Sequence, residues 1–235
     1  MTETTNDKQC NTINAAKPIH LDWQNIHTVF LDMDGTLLDL HFDNYFWLEY
    51  MPVQYAHKHH ISIEQAKKRL TELYHEMEGT LDWYCLDHWQ QKLDMDIVAL
   101  KHQVADKIAI RANVQRFLDA VNSKNNRVIL LTNAHRKTVE LKFSYTRIEN
   151  SFDRIITSHD LGLAKEQAGF WDRLQTVEPY EPEHTLFIDD NMEVLAEAER
   201  HGIAHLLTIQ QPDSQQPPNN TRHYTAIECF SQLLI

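Results

Sequence analysis

The sequence predicts an α/β protein: a Rossmann-like parallel sheet core carrying an inserted α-helical lobe. Three observations predict it. Short apolar runs recur along the chain, separated by helical patterns, and the run Val29-Phe30-Leu31 ends abruptly in Asp32-Met33-Asp34-Gly35-Thr36. Between that run and the next strand lies a long polar-aromatic stretch, residues 41–107, with helical patterns and no convincing strand. Strands that alternate with helices pair in parallel through right-handed crossovers. A buried strand that delivers acids at its carboxyl end is how open α/β sheets build active sites.

Residues 1–19 are polar, rich in Thr and Asn, and free of periodicity, which predicts a flexible leader ahead of a fold that begins near Trp23. Residues 20–40 and 108–235 are expected to form the core, and 41–107 the helical insertion. Its clearest helix opens at Ser62, where Gln65 completes a capping box and Leu70, Leu73, Tyr74 and Met77 share one face before Gly79. Beyond the insertion, Asn113 can cap a short helix through Val121, and Lys124-Asn125-Asn126 turns into the β-type run Arg127–Thr132. A helix over Lys137–Thr146, a strand over Phe152–Thr157, a helix over Glu166–Thr176 and a strand over Thr185–Ile188 follow. Met192–His201 reads as helix closed by Gly202, and Ile203–Leu207 as one more strand. Thr208–Thr221, polar and Pro-rich, is expected along the surface, with a last amphipathic turn over Ile227–Leu234.

The net charge of -12 argues against a nucleic acid polymer or a membrane surface as partner, because both need a basic footprint. A small anion remains possible where a cation sits locally. Cys10, Cys85 and Cys229 are widely scattered without a CxxC pair, so neither a disulfide framework nor a zinc ribbon is indicated, which fits a reducing cytoplasm. No apolar run approaches the roughly 20 residues that span a bilayer. The five glycines are too dispersed for a dinucleotide or triphosphate cradle. His57-Lys58-His59-His60 lacks Cys, Asp or Glu at ligand spacing and reads as a solvated helix end. His135, soon after Asn133, falls near the expected site without an assigned role.

Three polar features sit where strands end: Asp32 with Asp34, Thr132 with Asn133, and Asp189 with Asp190. In a parallel sheet these ends share one edge and can converge on one crevice. Lys165, in the loop after the Phe152–Thr157 strand, can reach the same edge.

In order and spacing, Asp32-x-Asp34-Gly35-Thr36, Leu130-Leu131-Thr132-Asn133, Lys165 and Phe187-Ile188-Asp189-Asp190 resemble the four motifs of the haloacid dehalogenase superfamily. The insertion after the first motif resembles its helical cap subclass. The resemblance implies Asp32 as the nucleophile that forms an aspartyl phosphate and Asp34 as the acid/base. It implies Mg²⁺ as cofactor, held by Asp32, the Asp34 backbone carbonyl and Asp190, with Asp189 in or near that shell. It makes Lys165 a fixed positive charge, and Thr132 and Asn133 phosphate donors. A second Asp and an acidic pair favour phosphoryl transfer, since dehalogenation needs neither an acid for a leaving alkoxide nor a metal.

The cap segments Phe42-Asp43-Asn44-Tyr45-Phe46-Trp47 and Leu81–Trp89, with Gly162–Glu166, Phe170-Trp171 and Pro212-Asp213-Ser214, resemble a narrower family, the bacterial GMP/IMP 5′-nucleotidases. That likeness implies a nucleoside monophosphate as substrate, with Asp43, Tyr45, Trp47, Tyr84 and His88 as candidates for reading the base. Most of the aromatic rings are expected simply to pack the cap. Ala164 stands where the family usually has Pro, and Asn191 where Ser is common. A sugar-phosphate phosphatase or phosphomutase is the alternative reading, and an idle binding or regulatory domain the alternative from another class. The sequence carries no indication of oligomeric state.

Overall fold

The computed structural model describes residues 17–234, so the expected leader up to residue 16 lies outside the described residues. Six parallel strands form one sheet in the order β3-β2-β1-β4-β5-β6. They are β1 Thr28–Leu31, β2 Arg127–Thr132, β3 Arg154–Thr157, β4 Thr185–Ile188, β5 His205–Ile209 and β6 Thr225–Ile227. This is the Rossmann-like α/β sheet that the alternating pattern predicts.

Between β1 and β2 come α1 His41–Tyr45, a π-helical turn Phe46–Tyr50, α2 Met51–His59, α3 Ile63–Met77, α4 Leu86–Leu93, α5 Ile97–His102 and α6 Val114–Asn122. The later helices are α7 Arg136–Thr146, α8 Ser158–Leu161, α9 Phe170–Val177 and α10 Met192–Arg200. The capping box at Ser62 and Gln65 forms in both directions, and the buried Leu70 and Tyr74 lie on the predicted face of α3.

The central strands are buried on both faces, which is why their sequences read as continuous apolar runs. Side chains alternate across the sheet. Val29, Leu31, Val128, Leu130, Leu186 and Ile188 join Phe117, Val121 and Phe143 in one layer. Phe30, Ile129, Leu131 and Phe187 join Trp171, Leu174, Leu195 and Ala198 in the other. A third cluster, with Phe42, Phe46, Leu70, Tyr74, Trp89 and Ile97, fills the helices between β1 and α6 and takes Leu141 from α7.

Several boundaries depart from expectation. The helix expected from Glu166 begins at Phe170, because Lys165–Gly169 forms an irregular loop instead. The short strand β6 stands where the sequence suggests only the start of a terminal turn. The tail after β5 is not all surface: Asp213 is buried, accepts from Asn44 Nδ2 at 2.7 Å, and lies 3.5 Å from His41 Nδ1. Among the described residues Cys85 is a free thiol. No helix among the described residues is long and apolar enough to cross a membrane.

Candidate active site

The sheet register brings the motif residues level. Leu31 pairs with Leu130 on one side and Ile188 on the other, so the residues that follow each strand emerge at one edge. Asp32 N still donates to Ile188 O at 3.0 Å, and Asp189 N to Leu207 O at 3.2 Å, which roots both carboxylates in the hydrogen-bond ladder. Lys165 Nζ lies between them, donating to Asp32 Oδ1 and Asp189 Oδ2 at 2.6 Å each and to Leu131 O at 3.1 Å. All three groups are buried, with Lys165 at 2% exposure.

Desolvation sets the protonation of this site. Burial pushes Asp32 up to about 6, against the pull of the Lys165 ammonium. The same burial opposes the charge of Lys165, yet the Asp189 and Asp32 carboxylates hold its ammonium well above the ordinary lysine range. Burial, reinforced by Asp189 and Asp32, pushes Asp190 well above the carboxylate range.

Asp32, Asp189 and Asp190 each bring a carboxylate oxygen to within 4.8 Å of the others. An all-oxygen donor set with carboxyls pushed up by burial and mutual repulsion suits a hard divalent cation such as Mg²⁺. Asp189 is the most committed of the three, since Asn191 N donates to its Oδ1 at 2.9 Å while Lys165 holds Oδ2. Gly35 makes the close approach possible. It adopts φ +83°, and a Cβ there would sit 2.4 Å from Asp190 Oδ2.

Asp34 has a different environment from Asp32. Its Oδ1 accepts from Lys142 Nζ, which also donates to Asp43 Oδ2, and Asp43 Oδ1 accepts from Lys101 Nζ at 2.8 Å. Burial pushes Asp34 up to about 6 against the Lys142 charge. Burial would raise Asp43 too, but the Lys101 and Lys142 ammonium groups outweigh it and hold the carboxyl at about 2.

Neither lysine is among the residues singled out from the sequence, although a signal exists. Lys142 shares the buried face of α7 with Thr138 and Val139, and Lys101 that of α5 with Ile97. A lysine at an inward helical position needs a buried partner. Asp43, expected to read a base, has a cation on each oxygen.

Thr132 Oγ1 accepts from Ala134 N at 3.0 Å, which leaves its hydroxyl hydrogen to donate. Asn133 Oδ1 accepts from Lys165 N at 2.9 Å, and its Nδ2 donates to Glu166 Oε2 at 2.8 Å. Glu166, also unforeseen, accepts from Tyr84 Oη at 2.9 Å through its other oxygen.

Two adjoining cavities open here. One, about 280 Å³, is lined by Asp32, Asp34, Thr132, Asn133, Lys165 and Asp190. The other, about 250 Å³, is lined by Trp47, Tyr74, Trp83, Tyr84 and Trp89 together with Asp43 and Lys101. Asp34, Leu40, Trp83, Tyr84 and Ala134 line both. Tyr45 and His88 line neither: Tyr45 stacks on Tyr50 at 6.5 Å, and His88 meets Trp89 edge to face at 5.5 Å. The remaining rings also pack on one another, with Tyr74 5.2 Å from Trp89 and 5.7 Å from Trp83.

A parallel α/β sheet with acids, a buried lysine and hydrogen-bond donors at one edge defines a hydrolase of the haloacid dehalogenase class. The model of the haloacid dehalogenase-like hydrolase family matches residues 26–202, and the chain belongs to that family. It is a phosphoric monoester hydrolase. The chain is 34% identical over 216 residues to the GMP/IMP nucleotidase YrfG of Escherichia coli K12, which covers 92% of this chain and 97% of that one. Among solved structures it is similar to a HAD phosphatase from Thermococcus onnurineus, at TM-score 0.72 and 19% identity, covering 88% of this chain and 95% of the other. The HAD-hydrolase YfnB of Bacillus subtilis, described as bound to magnesium, is similar at TM-score 0.58 and 16% identity, covering 88% and 96%. These two likenesses concern the fold.

Proposed function

We propose that the enzyme removes the 5′-phosphate of purine nucleoside monophosphates, GMP and IMP first, through an aspartyl phosphate on Asp32. The observation that carries this reading is the pair of joined cavities, a carboxylate-and-lysine chamber opening into an aromatic one. Together they reach the range of small-ligand pockets, about 300–1,000 Å³. The first suits a phosphate, and the second a flat heterocycle flanked by Trp47 and Tyr84. The likeness to a GMP/IMP nucleotidase supports the same assignment.

Lys165 holds Asp32 Oδ1, so Oδ2 is assigned the attack on phosphorus. As the new O–P bond forms, the ester P–O bond breaks, and the protonated Asp34 gives its proton to the leaving 5′-oxygen. Asp34, now a carboxylate, takes a proton from the water that attacks the phosphorus, releasing inorganic phosphate and restoring Asp32. Thr132 Oγ1 and the second N–H of Asn133 Nδ2 donate to the phosphate oxygens. Mg²⁺ held by Asp32, Asp190 and the Asp34 carbonyl, with Asp189 beside them, would neutralise phosphate charge. In this reading the helical segment 41–107 is a cap over the site.

Phosphate release measured across GMP, IMP, AMP, UMP and glucose 6-phosphate with Mg²⁺ tests the proposal. GMP and IMP are expected to show the highest kcat/KM, and Asp32→Asn to abolish turnover without unfolding the chain. Equal or better turnover of glucose 6-phosphate overturns the substrate assignment, and activity surviving in Asp32→Asn overturns the nucleophile.

A further inference from the structure

Beside the reaction site, a second cluster of metal-ligating side chains joins the helical segment to the sheet edge. Cys85 precedes α4, His135 precedes α7, and His159 lies in α8, yet Sγ and one nitrogen of each imidazole come within 4.8 Å of one another. The two imidazole rings meet edge to face at 4.9 Å. Cys85 is a free thiol. Both ring nitrogens of His159 are buried and have no hydrogen-bond partner among the described residues. A buried polar group without a partner is costly, and a missing ion is among the reasons such groups persist.

The donor chemistry is selective. One thiolate and two imidazoles suit a borderline-soft ion such as Zn²⁺, whereas Mg²⁺ demands oxygen ligands. Metal–ligand bonds of about 2.0–2.3 Å place tetrahedral donors roughly 3.5 Å apart, and the three donors here lie within 4.8 Å of one another. Asp87 Oδ2 lies 3.8 Å from His135 Nε2 at the margin of the cluster.

We propose that Cys85, His135 and His159 bind Zn²⁺ and thereby clamp the helical segment to the sheet edge beside the reaction site. Cys85 follows Tyr84, which lines both cavities, and His135 follows the Asn133-Ala134 pair at the end of β2. Occupancy therefore fixes the aromatic chamber relative to the phosphate chamber. Binding stands independently of the function proposed above; the clamp's effect on turnover rests on it.

Binding is read with Co²⁺ as a spectroscopic stand-in for Zn²⁺, added to the full chain in excess Mg²⁺. A thiolate-to-cobalt charge-transfer band is expected in the wild type and in Asp190→Asn, and is expected to vanish in Cys85→Ser. Serine can still cap α4, because Cys85 Sγ acts there only as acceptor from His88 N at 3.5 Å. No band in the wild type, or a band that survives Cys85→Ser, overturns the site. For the clamp, Zn²⁺ added over Mg²⁺ is expected to lower phosphate release from GMP severalfold in the wild type. It is expected to spare Cys85→Ser, whose zinc-free turnover matches the wild type. Equal loss in both proteins overturns the clamp without touching the spectroscopic result.

Discussion

Asp32 and Asp34 leave the same strand end but answer to different lysines: Lys165 grips Asp32, and Lys142 grips Asp34. Burial pushes both carboxyls up to about 6, so the cation beside each sets how readily it holds a proton. Lys142→Met removes the positive charge from Asp34 and from one oxygen of Asp43, and leaves Lys165 on Asp32. The Asp34 carboxyl is then expected to rise further, and the acidic limb of kcat against pH, where the base form is lost, to move to higher pH. A limb that stays in place would separate Lys142 from the proton chemistry. Stripping one partner from a buried ion pair costs about 3–5 kcal/mol. The lower end applies here, since Asp34 is 20% exposed and Asp43 keeps Lys101. Gly35 sets a second residue-scale limit. Gly35→Ala drives a Cβ into the Asp190 carboxylate and strains a backbone at φ +83°. The Mg²⁺ concentration for half-maximal turnover is expected to rise about 10-fold or more, measured by metal titration of phosphate release.

Three elements are stitched together at the end of the sheet opposite the site. Glu178, just past α9, accepts from Arg127 Nη2 at 3.1 Å at the start of β2 and from Arg154 Nη1 at 2.8 Å at the start of β3. Hydrogen bonding from Arg127 holds the Glu178 carboxyl below its ordinary value of 4.5, with burial opposing it. A carboxyl depressed in the folded state stabilises the fold above its unfolded pKa, and that contribution fades as pH falls through the folded value. Glu178→Gln is expected to cost about 1 kcal/mol near neutral pH, discounted because Arg127 and Arg154 are 47% and 42% exposed. In urea unfolding the gap between variant and wild type should stay constant above about pH 5 and narrow as pH falls below it. At this scale, legibility follows burial. β2 and β4 match their expected bounds residue for residue because strands buried on both faces read as unbroken apolar runs between turn signals. β6 escapes because three residues carry too little alternation. The irregular loop Lys165–Gly169 escapes because no local signal distinguishes it from a helix start. The lysines of the charge chain escape because helical lysines default to solvent, and their carboxylates lie 58 and 108 residues away.

Across the whole molecule, one of the links between the helical segment and the sheet edge runs through a single carboxylate. Tyr84 Oη donates to Glu166 Oε1 at 2.9 Å and Asn133 Nδ2 to Oε2 at 2.8 Å, and Glu166 itself follows Lys165. Glu166 thus ties the aromatic chamber to the carboxylate-and-lysine chamber. Tyr84 contributes in two separable ways, its ring to the cavity wall and its hydroxyl to this clasp. Tyr84→Phe keeps the ring and removes the hydroxyl. The loss of a hydrogen bond to a charged group corresponds to about a 10-fold weaker closed state or somewhat more. KM is therefore expected to rise by a similar factor for GMP and for glucose 6-phosphate alike, because closure serves both substrates. Tyr84→Ala also removes the ring, so it should erode the preference for GMP on top of that common loss. A Tyr84→Phe variant whose KM rises for GMP alone would mean that the hydroxyl recognises the base rather than closing the site, and steady-state kinetics on the two substrates decides between them.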